Sequence, residues 1–255
     1  MELVVVDDGS TNGTSDLLRA WRERVPTLKV ISLSNGGSPS LARNEGLRAA
    51  RGELVLFCDA DDVVEPGWIA ALASALETHD LVGGPLAFSA LNPVWPERVT
   101  SRSIDDALPL SADHLPFAHT GNLGVRRAAA HALGGFDESM VTSEDQDFSW
   151  RAIRAGLAIG FVPDAVVQVR LQRSLSQLWR QRVLWGVGSV DLYMRHSQHM
   201  PPPRSVPGVA REILRLAGLI PFALVSRSTR LHFVESVAFF VGRARGSLKN
   251  RKLYL

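Results

Sequence analysis

Glu53-Leu54-Val55-Leu56-Phe57-Cys58-Asp59-Ala60-Asp61-Asp62 decides how this chain reads. An apolar run this short, closed by acids, reads as a buried strand that ends in a turn. Glu65-Pro66 then opens a helix through Trp68, Ile69, Leu72 and Leu76. The same alternation precedes it. Glu2–Val6 reads as a strand, Thr14–Arg24 as a helix and Leu28–Leu33 as a second strand. Ser38-Pro39 starts a helix with proline at its first position, running through Ala42, Leu47 and Ala50 to Gly52. Strands alternating with helices predict an α/β fold, a mostly parallel sheet with helices on its faces. Such sheets bind ligands at the C-terminal ends of their strands. Asp7-Asp8 and Asp59–Asp62 both fall there.

Composition sets the class. Of the 255 residues 45% are apolar and 21% charged, which suits a globular chain and excludes a disordered one. Cys58 is the only cysteine, so no intrachain disulfide forms, and a reducing compartment fits. No apolar run reaches the roughly 18 residues of a spanning helix, and Met1–Val6 does not read as a signal peptide. The net charge of +2 is unevenly spread. Arg204–Leu255 holds ten Lys/Arg against two acids, net +8, and the preceding residues hold eighteen against twenty-four, net −6. Such a tail suits an anionic surface.

Three acidic segments are candidates for chemistry. Asp59-Ala60-Asp61-Asp62 crowds carboxylates that repel unless a cation sits among them, and Mg²⁺ or Mn²⁺ is held by one or two carboxylates plus substrate phosphates. Alone it also reads as a solvated turn. Asp7-Asp8-Gly9-Ser10 reads as a turn and helix cap, or as acids accepting hydrogen bonds from a nucleobase or ribose. Ser143-Glu144-Asp145-Gln146-Asp147 reads as a capping box on a helix over Ser143–Ala155, or as the source of a general base. Between them, about Phe88–Leu115 lacks periodicity and reads as long loops with a short helix. A Walker A motif, G-x-G-x-x-G, H-E-x-x-H and paired C-x-x-C are absent from the sequence.

Order and spacing join these segments. Val4-Val5-Val6-Asp7-Asp8-Gly9-Ser10-Thr11, Ala42-Arg43-Asn44-Glu45-Gly46 and Asp59-Ala60-Asp61-Asp62 closely resemble the family 2 glycosyltransferases of GT-A fold. Gly121-Asn122-Leu123-Gly124-Val125-Arg126-Arg127, Gly134-Gly135-Phe136-Asp137-Glu138 and Glu144-Asp145-Gln146-Asp147-Phe148 extend the match over roughly residues 2–195. The resemblance implies a catalytic domain over 1–200 and a basic amphipathic helical tail over 204–255. It implies that Asp7 and Asp8 contact the base and ribose of a nucleotide-sugar donor, with Arg43 on the donor side. Asp59 and Asp61 would form the D-x-D, Asp61 as direct ligand of a divalent metal (Mn²⁺ or Mg²⁺) and Asp59 nearer the ribose. Asn122 would line the sugar pocket, Glu144 would lie beside the donor, and Asp145 would be the catalytic base of an inverting transfer.

The sequence also departs from the family. Relatives place another strand and helix before the Asp-Asp-Gly-Ser strand, so this chain is expected to expose strand edges. A truncated, non-catalytic fragment or pseudoenzyme is therefore the alternative function. Gln181-Arg182-Val183-Leu184-Trp185 resembles the Q-x-x-R-W of processive synthases with Leu184 in place of Arg, which implies single-sugar addition. In the tail, Val209, Ile213, Leu216, Ala217 and Ile220 share one helical face, and Val234, Val237, Ala238 and Val241 another. A helical pair folded onto the body explains them, as does peripheral attachment to anionic lipid at the inner face of the plasma membrane. The expected partners are a nucleotide-sugar and a glycan or lipid-linked acceptor, in the cytoplasm, and no nucleic acid. The histidines are assigned no role, although His119 stands near Asn122.

Overall fold

Leu3–Asp8 forms β1 in the computed structural model, which describes residues 1–34, 37–92, 106–111, 115–203 and 205–254. β1 runs parallel to β2 (Leu28–Leu33), with Leu3 opposite Leu28 and Asp8 opposite Leu33. Between them lies α1 (Thr14–Arg24). α2 (Pro39–Ala49) packs back on β1, and the Ser38 hydroxyl accepts from the Leu41 amide at 3.2 Å, the cap that Ser-Pro predicts. β3 (Leu54–Phe57), β4 (Val63–Val64) and α3 (Trp68–Ala75) follow. α3 starts later than expected because Gly67 takes φ 88°, a left-handed turn that Glu65-Pro66 cannot continue through.

β5 (Leu81–Gly83), β6 (Leu86–Ala87), β7 (Leu110–Ser111) and β8 (Leu115–Pro116) come next. Of the stretch about Phe88–Leu115 expected to hold long loops and a short helix, residues 93–105 and 112–114 lie outside the described residues, and the described part carries β7 and the start of β8. A 3₁₀ turn at Thr120–Asn122 leads into β9 (Leu123–Arg126), α4 (Arg127–Ala132) and α5 (Glu144–Arg154). β10 (Ile159–Phe161) and β11 (Val167–Gln168) complete the strands. The main sheet has the order β10-β5-β9-β3, with β10 parallel to β5 and β9 antiparallel to both neighbours. The α/β class and flanking helices are as predicted, and the sheet centre is mixed. Among the described residues β1 pairs only with β2 and β3 only with β9, so each keeps one edge without a strand partner.

The two faces of the sheet carry separate cores. Leu81, Leu123 and Val125 face Phe136 and Phe148. Val82, one residue along, faces the other way onto Trp68, Leu72 and Leu76. Each such fully buried side chain contributes about 2 kcal/mol.

α6 (Leu175–His196) lies along α8 (Arg227–Lys249), with α7 (Val206–Val225) against the outside of α8. Gly186 and Gly242 let α6 and α8 touch backbone to backbone: a Cβ on Gly186 would meet the Phe239 carbonyl, and one on Gly242 the Val183 carbonyl. Buried Asp191 on α6 accepts from Lys249 Nζ at 3.0 Å and Asn250 Nδ2 at 2.9 Å. Tyr193 stacks on Tyr254 with ring centroids 4.1 Å apart. The second tail helix is thus built into the body. The first is not: Leu216 is buried, but Ile213 and Ile220, expected on the same inward face, are exposed. The inward face of α7 is rotated toward Leu216 and Ala223. Among the described residues no helix is long and apolar enough to cross a membrane.

Candidate active site

Arg43, projecting from α2, joins two of the acidic segments. Its Nη1 donates to Glu144 Oε1 at 2.6 Å and its Nη2 to Asp59 Oδ1 at 2.9 Å. Residues far apart in the chain, at the end of β3 and the start of α5, are thereby held on one guanidinium. Glu144 is buried. Burial first, then the charge of Asp145, raises its carboxyl, and Arg43 opposes both.

The Asp59–Asp62 turn is closed by the Asp62 amide donating to the Asp59 carbonyl at 3.1 Å. Asp62 Oδ1 accepts from the Arg170 amide at 2.8 Å. Its carboxyl is nonetheless pushed up to about 6, by burial and then by Asp61 and Asp59. Burial and the same three acids push the neighbouring free Cys58 thiol up to about 11. The Asp61 carboxylate is exposed and makes no hydrogen bond or ion pair with another described residue. Asp59, Asp61 and Asp62 line a cavity of about 610 Å³ with Phe88, His119 and Trp185.

Asp145, at the first turn of α5, has Oδ1 on the Gln146 amide at 2.8 Å and Oδ2 3.4 Å from His119 Nδ1. His119 therefore links the general-base candidate to the wall of the acidic cavity. Sequence reading gave it no role; its place three residues before Asn122, just ahead of the Gly121–Arg127 motif, was the available signal. The capping box does not form. Ser143 takes φ 67° and makes no side-chain cap, so α5 begins at Glu144 and its N-terminal dipole falls on Glu144 and Asp145. Asp147, one turn in, is a strut: it accepts from His196 Nε2 at 2.9 Å and Arg151 Nε at 2.7 Å.

The remaining residues sit differently from expectation. Asn122 does not line the cavity. It is fully buried, its Nδ2 donates to the Pro85 and Ala165 carbonyls at 3.0 and 2.7 Å, and its Oδ1 accepts from Trp68 Nε1 at 2.8 Å. Its amide is spent tying β9 to α3 and to the β6 and β11 strands. Asp7 is buried and accepts from the Ser10 amide at 3.0 Å and the Ser15 hydroxyl at 3.2 Å, and the Ser10 contacts lower its carboxyl. Asp8 holds the Gly37 amide with both oxygens at 2.9 Å. Asp7 thus shapes its own loop, and Asp8 ties the end of β1 to the residue before the Ser38 cap of α2.

A second groove of about 610 Å³ adjoins the acidic cavity, lined by Met140, Val141, Arg180 and Leu184. Gln172, Gln181 and Trp185 line both spaces.

The glycosyl transferase family 2 model matches residues 1–134, just over half the chain. The chain belongs to glycosyl transferase family 2. It is 28% identical over 213 residues to the pre-mycofactocin glycosyltransferase of Mycobacterium tuberculosis (strain ATCC 25618 / H37Rv), covering 79% of this chain and 44% of that protein. To glycosyltransferase AglE of Haloferax volcanii it is 25% identical over 195 residues, covering 76% and 64%. The chain therefore spans about half the length of these curated relatives. Its fold is similar to that of the mannosyltransferase PcManGT from Pyrobaculum calidifontis, solved with GDP-Man and Mn²⁺. The TM-score is 0.68 at 18% identity, over 97% of this chain and 78% of that one. TarS 1–349 of S. aureus, solved with UDP-GlcNAc, gives 0.52 at 19% identity, over 100% and 84%. The fold of this family 2 chain is accordingly GT-A.

Proposed function

We propose that this family 2 chain transfers one sugar from a nucleoside-diphosphate sugar to a hydroxyl acceptor, with inversion at the anomeric carbon. The observation that carries the reading is the Asp59–Arg43–Glu144 bridge, which fixes the acidic turn beside the start of the helix bearing Asp145. The nucleotide-sugars bound by the two similar solved enzymes support the donor class, and neither fixes the base or sugar here.

The donor set fits a divalent cation. Among the described residues no three His, Cys, Asp or Glu side chains gather to hold a metal by themselves. The exposed Asp61 and the free oxygen of Asp59 suit a cation that shares its shell with a diphosphate and water. When bound, such a cation neutralises charge growing on the leaving diphosphate. The rest is the work of side chains. Arg43 keeps Asp59 turned toward the cavity. Asp145 takes the proton of the acceptor hydroxyl as that oxygen bonds to the anomeric carbon. The bond from that carbon to the phosphate oxygen breaks, and the nucleoside diphosphate leaves with the electron pair. The groove beyond Trp185 suits the acceptor, a glycan or lipid-linked alcohol. The lone free thiol of Cys58 suits a reducing, cytoplasmic setting.

Asp145→Asn is expected to lower turnover by about 10³-fold while donor affinity stays within twofold. Turnover at the parent rate in that variant removes Asp145 from the chemistry. A thermal-shift screen of UDP-, GDP- and dTDP-sugars with and without Mn²⁺ names the donor base. No stabilisation by any of them favours the second reading, a non-catalytic scaffold, to which the edges of β1 and β3 that lack a strand partner among the described residues lend support.

A further inference from the structure

α7 turns most of its circumference away from the protein. At 100° per residue, Ile213, Leu214, Ile220, Leu224 and Val225 fall on one continuous arc. All five are exposed, and three are among the most exposed apolar side chains of the described residues, with Leu214 at 72%, Leu224 at 74% and Val225 at 84%. Phe222, exposed as well, extends the arc to its far border. Isolated exposed aliphatics are ordinary, but a whole helical face of them is not. The inward face, Leu216 and Ala223, is already satisfied against the neighbouring helix.

The borders of the arc are cationic. Arg211 and Arg215 project beside Phe222, and Arg227 and Arg230 follow directly after Val225. Arg230 donates to the Ala223 and Leu224 carbonyls at 3.0 and 3.2 Å, so a charge is fixed at the end of the apolar face. The one acid of the helix, Glu212, is turned inward and paired with Arg215 at 2.7 Å. An apolar face rimmed by arginines matches a surface that is apolar below and anionic above. A second copy of the chain would bring two arginine rims together and be repelled.

We infer that α7 lies in the interface of an anionic lipid bilayer, its Ile213–Val225 arc among the acyl chains and its arginines at the phosphates. At 20 residues the helix is about 30 Å long, enough to rest along the surface without crossing it. The inference stands on this helix and does not depend on the transfer reaction.

Flotation of the full chain with phosphatidylcholine vesicles, with and without phosphatidylglycerol, tests it. Binding is expected to rise at least about tenfold with the anionic lipid and to fall as salt is raised. Leu224→Glu combined with Val225→Glu changes only exposed positions. It is expected to lower that binding at least about tenfold with unchanged melting temperature. Arg211→Glu, which touches no packing, is expected to weaken it on the order of fivefold. Equal binding to both vesicle types, or undiminished binding by both variants, overturns the inference. So does a lipid-free dimer that the double glutamate variant converts to monomer, since the arc would then belong to a second copy.

Discussion

Arg43 has one guanidinium nitrogen on Glu144 and another on Asp59, so Arg43→Met removes two contacts at once and leaves a buried acid unpaired. Unpairing a buried charge costs about 3 kcal/mol, limited here because Glu144 can take a proton instead. Turnover is expected to fall about 100-fold as Asp59 drifts. Arg43→Lys, with no fork, restores only part of it. Turnover of the Met variant equal to the parent would show that the bridge does not position the site. Asn122 makes the opposite case. Asn122→Ala strands Trp68 Nε1 and two carbonyls and is expected to cost about 3 kcal/mol in urea unfolding, with donor affinity unchanged. A weakened donor KM without loss of stability would return Asn122 to the pocket. These two residues mark how far single positions are legible. Arg43 and Asn122 both sit in recognisable motifs, but a motif shows neither which way a side chain points nor whether its hydrogen bonds are already used.

At the scale of elements the first three strands and helices were readable, whereas β4–β11, runs of two to four residues, and α4 are too short to show a period and were not read. The apolar runs before Asp7 and Asp59 specify β1 and β3, and Ser38-Pro39 caps α2 as written. The misses have local backbone causes. Gly67 delays α3, and the left-handed Ser143 forfeits a capping box that its sequence spells. What anchors α5 is Asp147, invisible to local pattern because its partners come from one turn on and from the end of α6. His196 sets Nε2 against Asp147, and its Nδ1 faces Arg154 Nη1, so the ring is wedged between α5 side chains. Burial works against the Asp147 carboxylate. The His196 and Arg151 contacts outweigh it, and hold its carboxyl below the ordinary 3.8. Its stabilisation is therefore complete above that pH and is lost as pH falls below it. Asp147→Asn is expected to lower the urea midpoint at pH 7 and to flatten the acid limb below pH 3.8. An acid limb as steep as the parent's would assign the loss to other carboxylates.

On the scale of the whole molecule, composition separated a basic tail from an acidic body but could not tell which tail helix is built in. That depends on pairings distant in sequence, Asp191 with Lys249 and Tyr193 with Tyr254. Asp191→Ala is expected to cost about 2 kcal/mol, near 6 °C in melting temperature. It should also make the C-terminal helix the first site of limited proteolysis. Cleavage elsewhere first would show that the helix is held by its apolar contacts alone.

The backbone contact of Gly186 with Gly242 bears on inheritance. Trp185, the shared partition of the two cavities, is the chain neighbour of Gly186, so its position is set by how closely α6 and α8 can approach. One added methyl group at Gly242, a site remote in sequence from every acidic motif, would displace that partition before it unfolded anything. Drift at Gly242 can thus retune what the space beside the acidic turn admits, with every recognisable motif left intact.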